Sequence, residues 1–126
     1  MEKESLDNEN FKKEDCLFCK IIKKQIPCEM VYEDDKVIGF KDISPEAPVH
    51  VIIIPRRHID DLNCLKQDEA EIIGHIFIVA KNIAKTLGIA APGYRIVSNC
   101  GDQGGQTVKH LHFHLLGGRR LQWPPG

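Results

Sequence analysis

Alternating apolar and polar positions divide the chain into short strands and two amphipathic helices. An alternation with period two predicts a β-hairpin, with strands at residues 30–33 and 36–40 around the acidic turn Asp34-Asp35. The next strand, at residues 49–55, is almost continuously apolar, which indicates burial on both of its faces. Two further strands are predicted at residues 94–99 and 110–116.

The longest periodic segment predicts a single long helix between Asp68 and Gly88. Asp68 and Glu71 have the spacing of a capping box, and Gly88 suits the C-terminal end. A shorter helix is predicted over residues 17–24, closed by Pro27. Together these elements predict an α+β fold, in which an antiparallel sheet of about five strands packs against the long helix.

Composition adds the domain organisation and excludes some classes of partner. The 126 residues suit one domain, predicted at residues 16–126, and the strongly charged residues 1–15 predict a mobile leader. A net charge of −1 argues against nucleic acid and anionic membranes as main partners. The five cysteines follow an N-terminus without an apolar signal region, which favours reduced thiols. A cytoplasmic location is therefore expected, with the nucleus as an alternative.

Half of the six histidines fall within five residues, at His110, His112 and His114. Because side chains alternate along a strand, these imidazoles share one face while Leu111 and Phe113 turn to the other. One buried histidine is ordinary, but three in this pattern favour a functional site.

Two kinds of chemistry suit alternating histidines on a strand. The imidazoles can bind a metal ion, with a further ligand from elsewhere. Alternatively, one neutral imidazole attacks phosphorus while its neighbours donate hydrogen bonds to phosphate oxygens. The preceding glycine-rich loop, residues 101–107, offers backbone N–H groups, a carboxamide and a hydroxyl, which favours the phosphate chemistry.

The run His110-Leu111-His112-Phe113-His114-Leu115-Leu116 resembles the signature of the histidine triad (HIT) superfamily. The resemblance extends over nearly all of residues 16–126 and includes Gly104-Gly105-Gln106. The terminal Trp123-Pro124-Pro125-Gly126 resembles the Hint branch, the histidine triad nucleotide-binding proteins, which are purine nucleoside phosphoramidases. The resemblance therefore implies a HIT-like fold and cleavage of the P–N bond of adenosine or guanosine 5′-phosphoramidates, including aminoacyl adenylates, with release of AMP or GMP.

The resemblance also implies roles for individual residues. His112 is expected to attack the α-phosphorus and form a nucleotidyl-histidine, and His114 to stabilise the phosphate oxygens. His110 and His50 are expected to form the relay that fixes the tautomer of His112. Thr107 stands where the family more often has Ser and is expected to bond the phosphate or the leaving group. No cofactor is required for this catalysis.

Further residues would hold the nucleotide. The phosphate side is completed by Asn99 and by the backbone of Gly105 and Gln106. Asp42 resembles the ribose ligand, although an Asp before Ser44 also commonly caps a turn. The base would lie between apolar side chains that the pattern alone assigns to the core: Phe18, Ile26 and Ile43, with Leu17 nearby.

A Cys-x-x-Cys pair, Cys16 and Cys19, directly precedes the short helix. Some HIT relatives bind structural zinc through such a pair and two histidines, and the matching positions here are His50 and His110. Buried apolar thiols and a redox pair are the alternatives. His58, after Arg56-Arg57, is expected in a solvated turn.

The Hint resemblance implies a homodimer, since in that branch the tail around Trp123 reaches the other subunit's active site. The expected ligand is a purine nucleotide. Two rival functions stay open. One is a nucleotide-sensing scaffold or regulatory protein with incidental catalysis, and the other is a zinc enzyme that uses the three histidines as ligands.

Overall fold

A computed structural model describes residues 15–126, so the predicted leader at residues 1–15 lies outside the described part except for Asp15. Five strands form one sheet, in which all neighbours are antiparallel. They are β1 (Met30–Glu33), β2 (Val37–Lys41), β3 (Val49–Pro55), β4 (Tyr94–Val97) and β5 (Phe113–Gly117). Their order across the sheet is β1-β2-β3-β5-β4. The predicted α+β fold with a five-stranded antiparallel sheet is confirmed.

The long helix α2 spans Ala70–Thr86 and follows a 3₁₀ turn at Gln67–Glu69. The predicted capping box was wrong by two residues, because the Glu69 carboxylate accepts the backbone N–H of Lys66 at 2.8 Å. The predicted end is confirmed. Gly88 takes the left-handed conformation with φ 78°, and the N–H of the following residue donates to the carbonyl of Ala84.

The sheet is covered on both faces, as the apolar run of β3 predicted. Val51 and Ile53 point toward α2, while Ile52 and Ile54 point toward the short helix α1, Leu17–Ile22. α1 is too short to be stable alone, and its buried side chains Phe18 and Ile21 attach it to the sheet.

Close packing on the α2 side depends on a glycine in β2. A β-carbon at Gly39 would lie 3.2 Å from the Cδ1 atom of Ile83. The missing side chain therefore lets the helix approach the sheet at this point.

Two strands are shorter than predicted. β4 ends at Val97 rather than at residue 99, and β5 begins at Phe113 rather than at residue 110. The later start of β5 has a visible reason, because Leu111 donates its N–H to the carbonyl of Ile59, outside the sheet, at 2.6 Å. The predicted alternation nevertheless holds through this segment, since Leu111, Phe113 and Leu115 all belong to the core on the α2 side.

A polar network joins α2 to the hairpin. The Asp34 carboxylate accepts the Tyr32 hydroxyl, and it lies 2.6 Å from Nε2 of His75. It also accepts the backbone N–H groups of Lys36 and Val37, which close the turn. These bonds hold the pKa of Asp34 well below its usual range, although partial burial opposes the shift. The His75 side chain thus links α2 to the hairpin formed by β1 and β2.

Within residues 15–126, no helix is both long enough and apolar enough to cross a membrane.

Candidate active site

The central histidine of the run is held by a backbone bond. Nδ1 of His112 lies 2.7 Å from the carbonyl oxygen of His110. A carbonyl only accepts, so Nδ1 carries the proton, and Nε2 of the neutral ring keeps a free lone pair. Burial lowers the pKa of His112, which favours this neutral form. The Phe18 ring meets the imidazole edge-on, with 5.0 Å between centroids. His112 therefore has the protonation state that a nucleophile requires.

His114, the third histidine of the run, has the opposite tautomer, which is set by two successive hydrogen bonds through His50 on β3. The N–H of Glu46 donates to Nδ1 of His50 at 3.0 Å, so the proton of His50 lies on Nε2. That Nε2–H points to Nδ1 of His114, 2.8 Å away. The remaining nitrogen of His114, Nε2, therefore carries a proton that it can donate. Burial, followed by the charges of His112 and His50, lowers the pKa of His114 to about 4.

The predicted relay onto His112 is corrected by these two arrangements. His110 fixes the tautomer of His112 through its backbone carbonyl and not through its ring. His50 acts on His114 instead. The sheet explains the pairing, because His114 lies opposite Ile52 on β3, and His50 is the next residue on the same face.

A pocket of about 230 Å³ opens beside the imidazoles of His112 and His114. Its lining is mostly apolar but includes Asp42, Thr107 and the two imidazoles, so the pocket is suited to an amphipathic ligand. Ile43 at the rim is 95% exposed, whereas Phe18 at the base is buried. The structure brings together here eight residues that the sequence analysis named: Leu17, Phe18, Ile26, Asp42, Ile43, Thr107, His112 and His114.

Asp42 takes the turn role that was weighed beside the ribose role. Its Oδ1 accepts the backbone N–H of Ser44 at 2.8 Å. Its Oδ2 lies 3.4 Å from Nε2 of His50 and belongs to the lining of the pocket. The cap leaves that second oxygen with acceptor capacity for a ligand hydroxyl.

The glycine-rich loop is arranged differently from the predicted phosphate cradle. The N–H groups of Gly105 and Gln106 donate to the carbonyls of Asp102 and Gly101, both at 3.0 Å. They hold the loop together instead of pointing to a ligand, so the backbone role expected of these two residues is wrong in this conformation. Asn99 is likewise engaged, since its Nδ2 donates to the carbonyl of Gly104. It lines a separate groove of about 430 Å³ on the other side of His114.

A second cluster of side chains lies behind His112. Cys16, Cys19, His58 and His110 place one potential ligand atom each within 4.8 Å of the other three. Nδ1 of His110 is 3.5 Å from Sγ of Cys16 and 3.6 Å from Sγ of Cys19, and Nδ1 of His58 is 3.2 Å from Sγ of Cys19. Sulfur and nitrogen ligands of a tetrahedral zinc ion are about 3.5 Å apart. The spacing therefore fits zinc.

The far nitrogens of both histidines are bonded in the manner typical of metal ligands. Nε2 of His58 lies 2.6 Å from Oδ1 of Asp60, and Nε2 of His110 lies 2.9 Å from the carbonyl of Pro55. Both rings therefore direct Nδ1 into the cluster. Burial opposes ionisation of Cys16, but hydrogen bonds from His110 and His58 bring its pKa down to about 5. A thiolate and bonded imidazoles are the donors that zinc binds.

The predicted zinc ligands are corrected at one position. His58 takes the place expected of His50, and its side chain is only 6% exposed, so it is not part of a solvated turn. The signal for it was the carboxylate two residues later, Asp60, which suits an outer partner of a ligating histidine. The structure also separates the three histidines of the run, because the ring of His110 faces the cysteines while His114 faces His50. They do not form one ligand set.

Comparison with known proteins places this architecture. The family model described as the HIT domain matches residues 23–121. The chain belongs to the HIT family. The match includes the whole histidine run and His58, while Cys16 and Cys19 precede it.

Relatives of this HIT protein support the assignment over most of its length. An uncharacterized HIT-like protein of Synechococcus elongatus is 49% identical over 113 residues, which cover 90% of this chain and 98% of the relative. A crystal structure of a HIT family hydrolase from Legionella pneumophila superposes with a TM-score of 0.87 at 47% identity, covering 89% of this chain and all of the other. A HIT family hydrolase from Clostridium thermocellum gives 0.86 at 50% identity, covering 88% and 96%. The chain thus has the fold of HIT family hydrolases.

Proposed function

We propose that the protein is a nucleotide-binding hydrolase of the Hint type, which cleaves the P–N bond of adenosine or guanosine 5′-phosphoramidates. Aminoacyl adenylates are included in the proposed substrates. The observation that carries the proposal is the tautomer of His112, whose Nδ1–H bond to the His110 carbonyl leaves Nε2 free beside the pocket. A lone pair held in this way is suited to in-line attack on phosphorus.

The proposed reaction has two displacements at the same phosphorus atom. In the first, Nε2 of His112 attacks the α-phosphorus, the P–N bond breaks, and the leaving nitrogen takes a proton from solvent to depart as the amine. The product is a nucleotidyl-histidine. In the second, water attacks that phosphorus and gives a proton back to solvent, the P–Nε2 bond breaks, and the nucleoside monophosphate is released with neutral His112 restored. Division into two steps replaces one difficult displacement with two easier ones.

His114 is proposed to stabilise charge on the phosphate oxygens. The chain from Glu46 through His50 supports this role, because it leaves the Nε2–H of His114 as a donor. The lowered pKa keeps the ring neutral, so it donates a hydrogen bond without adding a fixed charge to the pocket. Thr107 is proposed to add a hydroxyl bond to the phosphate or the leaving amine, and Asn99 to border the leaving-group side.

The nucleoside would occupy the rest of the pocket. Phe18, Ile26 and Ile43 supply an apolar slot of the kind that binds a base, and Asp42 and His114 line the same pocket. Its Oδ2 is proposed to accept the ribose hydroxyls, since its Oδ1 is already used by Ser44.

The Cys/His cluster is proposed to bind one structural zinc ion through Cys16, Cys19, His58 and His110. Bound there, zinc would join α1, the turn after β3 and the start of the histidine run. The donor distances and the outer bonds to Asp60 and Pro55 support this assignment. The proposed reaction uses no metal ion, because His112 itself is the nucleophile.

A homodimer belongs to the same proposal. Trp123 near the C-terminus is 79% exposed, and Phe77 and Ile78 on α2 are about half exposed, at 47% and 52%. Large apolar side chains in such positions favour burial against a second copy. Light scattering would give twice the chain mass for a dimer, and the mass of one chain would contradict this part of the proposal.

A cytoplasmic location is also proposed. It is supported by the five cysteines, none of which forms a disulfide within residues 15–126.

The function is tested by mixing the protein with a tryptamine-type adenosine phosphoramidate and following release of the amine and AMP. We expect multiple turnovers, no loss of rate in chelator, and an acid-quenched protein heavier by one nucleotidyl group. Tight AMP binding without turnover would favour the nucleotide-sensing alternative. Activity abolished by chelator and restored by zinc, at a temperature where the chelated protein is still folded, would contradict the metal-independent reaction.

A further inference from the structure

One side chain in the glycine loop is fully engaged in hydrogen bonds. Oε1 of Gln106 accepts the N–H of Gly101 at 2.9 Å. Its Nε2 donates to two carbonyls, that of Asp60 at 2.8 Å and that of Val108 at 3.0 Å. Both donor hydrogens of the carboxamide are thus used, together with its acceptor. Such a residue has no donor left to offer a phosphate.

The bond from Gln106 to Asp60 differs from the others because it reaches a part of the fold outside the glycine-rich loop. The N–H bonds of Gly105 and Gln106 close the loop on itself, and so does the carboxamide bond to Gly101. Asp60 is 46 residues away in the sequence, in the segment after β3. The carboxamide therefore joins an exposed loop to another part of the fold.

The segment that receives this bond is itself well anchored. The side chain of Asp60 holds Nε2 of His58 at 2.6 Å. The carbonyl of Ile59 accepts the N–H of Leu111, immediately before the nucleophile. The segment at residues 58–60 thus contacts the Cys/His cluster, the histidine run and, through Gln106, the glycine loop.

We propose that Gln106 is a positioning residue, whose bond to the Asp60 carbonyl holds the adjacent Thr107 at the pocket in the place where its hydroxyl meets the reacting group. The inference rests on the proposed function for the role of Thr107, whereas the bond itself does not. Thr107 is exposed and lies between Gln106 and Val108, whose carbonyl accepts from the Gln106 carboxamide, so both of its chain neighbours are held by that side chain. Displacement of a reacting contact by about 1 Å can reduce a rate by about a hundredfold.

The sharpest variant changes one atom group. Gln106→Glu replaces the donating NH₂ by an oxygen, so both bonds to carbonyls are lost while an acceptor for Gly101 remains. Gln103→Glu makes the same chemical change at an exposed position of the same loop and serves as the matched control. We expect Gln106→Glu to lower kcat for the phosphoramidate by at least about tenfold with KM changed much less, and Gln103→Glu to behave as the wild type.

A double-mutant cycle separates positioning from general damage. If Gln106 acts through Thr107, then Gln106→Glu in a Thr107→Ala background should lower kcat by less than about twofold. Equal losses in both backgrounds would overturn the proposal, and so would a Gln106→Glu rate equal to that of the control. If Gln106→Glu fails to fold, Gln106→Met removes the same bonds without adding charge and takes its place.

Hydrogen exchange tests the bond independently of catalysis. We expect the peptide spanning residues 101–107 to exchange faster in Gln106→Glu than in Gln103→Glu, with unchanged exchange in α2. Equal exchange in the two variants would contradict the proposal that the Gln106–Asp60 bond holds the loop. If the wild type releases no amine, the proposed function fails, and the exchange comparison still decides whether Gln106 holds the loop.

Discussion

Two histidines that are neighbours on one face of the chain serve different regions of the molecule. His110 directs its side-chain nitrogen into a cluster with two cysteines, and its ring is fully buried. His112 lies beside an open pocket with a free lone pair on Nε2. The Phe18 ring contacts both imidazoles edge-on and lies between the two environments.

The difference lies in which ring nitrogen is bonded from behind. For His110 the carbonyl of Pro55 holds Nε2, so Nδ1 is presented; for His112 the carbonyl of His110 holds Nδ1, so Nε2 is presented. Each of these bonds fixes the orientation of its imidazole ring. The same residue type is thereby suited to metal binding at one position and to attack at the next.

The comparison is tested most strongly at the nucleophile. His112→Ala should reduce phosphoramidate turnover at least about a thousandfold, because no other group in the pocket replaces the attacking nitrogen. AMP binding, measured by calorimetry, should largely persist. His75→Ala, which removes a histidine that belongs neither to the pocket nor to the Cys/His cluster, is the control and should retain turnover. Undiminished turnover in His112→Ala would refute the mechanism.

The cluster should respond in stability and not in chemistry. Cys19→Ser is expected to reduce the zinc-to-protein ratio from one to near zero and to lower Tm by roughly 10 °C, as loss of a tightly bound ligand does. Cys100→Ser, a thiol outside the cluster, should keep both. Metal analysis and thermal melting check this pair, and an unchanged zinc ratio in Cys19→Ser would remove the cysteine from the site.

The series of hydrogen bonds from Glu46 through His50 to His114 predicts an intermediate effect on rate. His50→Ala should lower kcat roughly tenfold to a hundredfold, since His114 loses the bond that fixes its tautomer and orientation. His50→Gln should recover much of this loss, because its oxygen can accept from Glu46 and its NH₂ can donate to His114. Steady-state kinetics distinguishes them, and equal rates for the two variants would count against the relay.

The smallest effect is expected from mild acid. Both His112 and His114 must be neutral, and burial lowers the pKa of each, to about 4 for His114. The acid limb of kcat/KM should therefore lie below pH 6.5, the value of an ordinary histidine, and activity should be kept as pH falls from 7 toward 6. Rates corrected for spontaneous hydrolysis measure this limb. A midpoint at or above 6.5 would contradict neutral buried imidazoles.

The sequence predicted features that repeat with a structural period. Alternation placed Leu111 and Phe113 in the core, and the helical stripe located α2, because periodic burial leaves a periodic pattern of residues. The strand ends were less accurate. They depend on single bonds, such as that from Leu111 to the Ile59 carbonyl, which compete with the sheet and have no periodic signature.

The candidate site was only partly predicted from the sequence. The pocket residues were named from the family resemblance. The fourth member of the Cys/His cluster, His58, comes from a turn, where position depends on the path of the backbone. His50 was named from the family resemblance and His58 was expected in a solvated turn, whereas the return of the chain after Pro55 brings His58 to the cysteines. Likewise, the N–H groups of Gly105 and Gln106 are used within their own loop, which composition alone did not reveal.

The shared wall at Phe18 limits how substrate preference can be redesigned. Its ring packs on Phe40 as well as on both imidazoles, so truncation to Ala would cost about 3–5 kcal/mol and disturb two environments at once. Ile43, at the opposite rim, is almost entirely in solvent, and its replacement should change the free energy of unfolding by no more than about 0.5 kcal/mol. A library of variants aimed at bulkier or more polar bases should therefore vary Ile43 at the pocket rim and leave Phe18 unchanged.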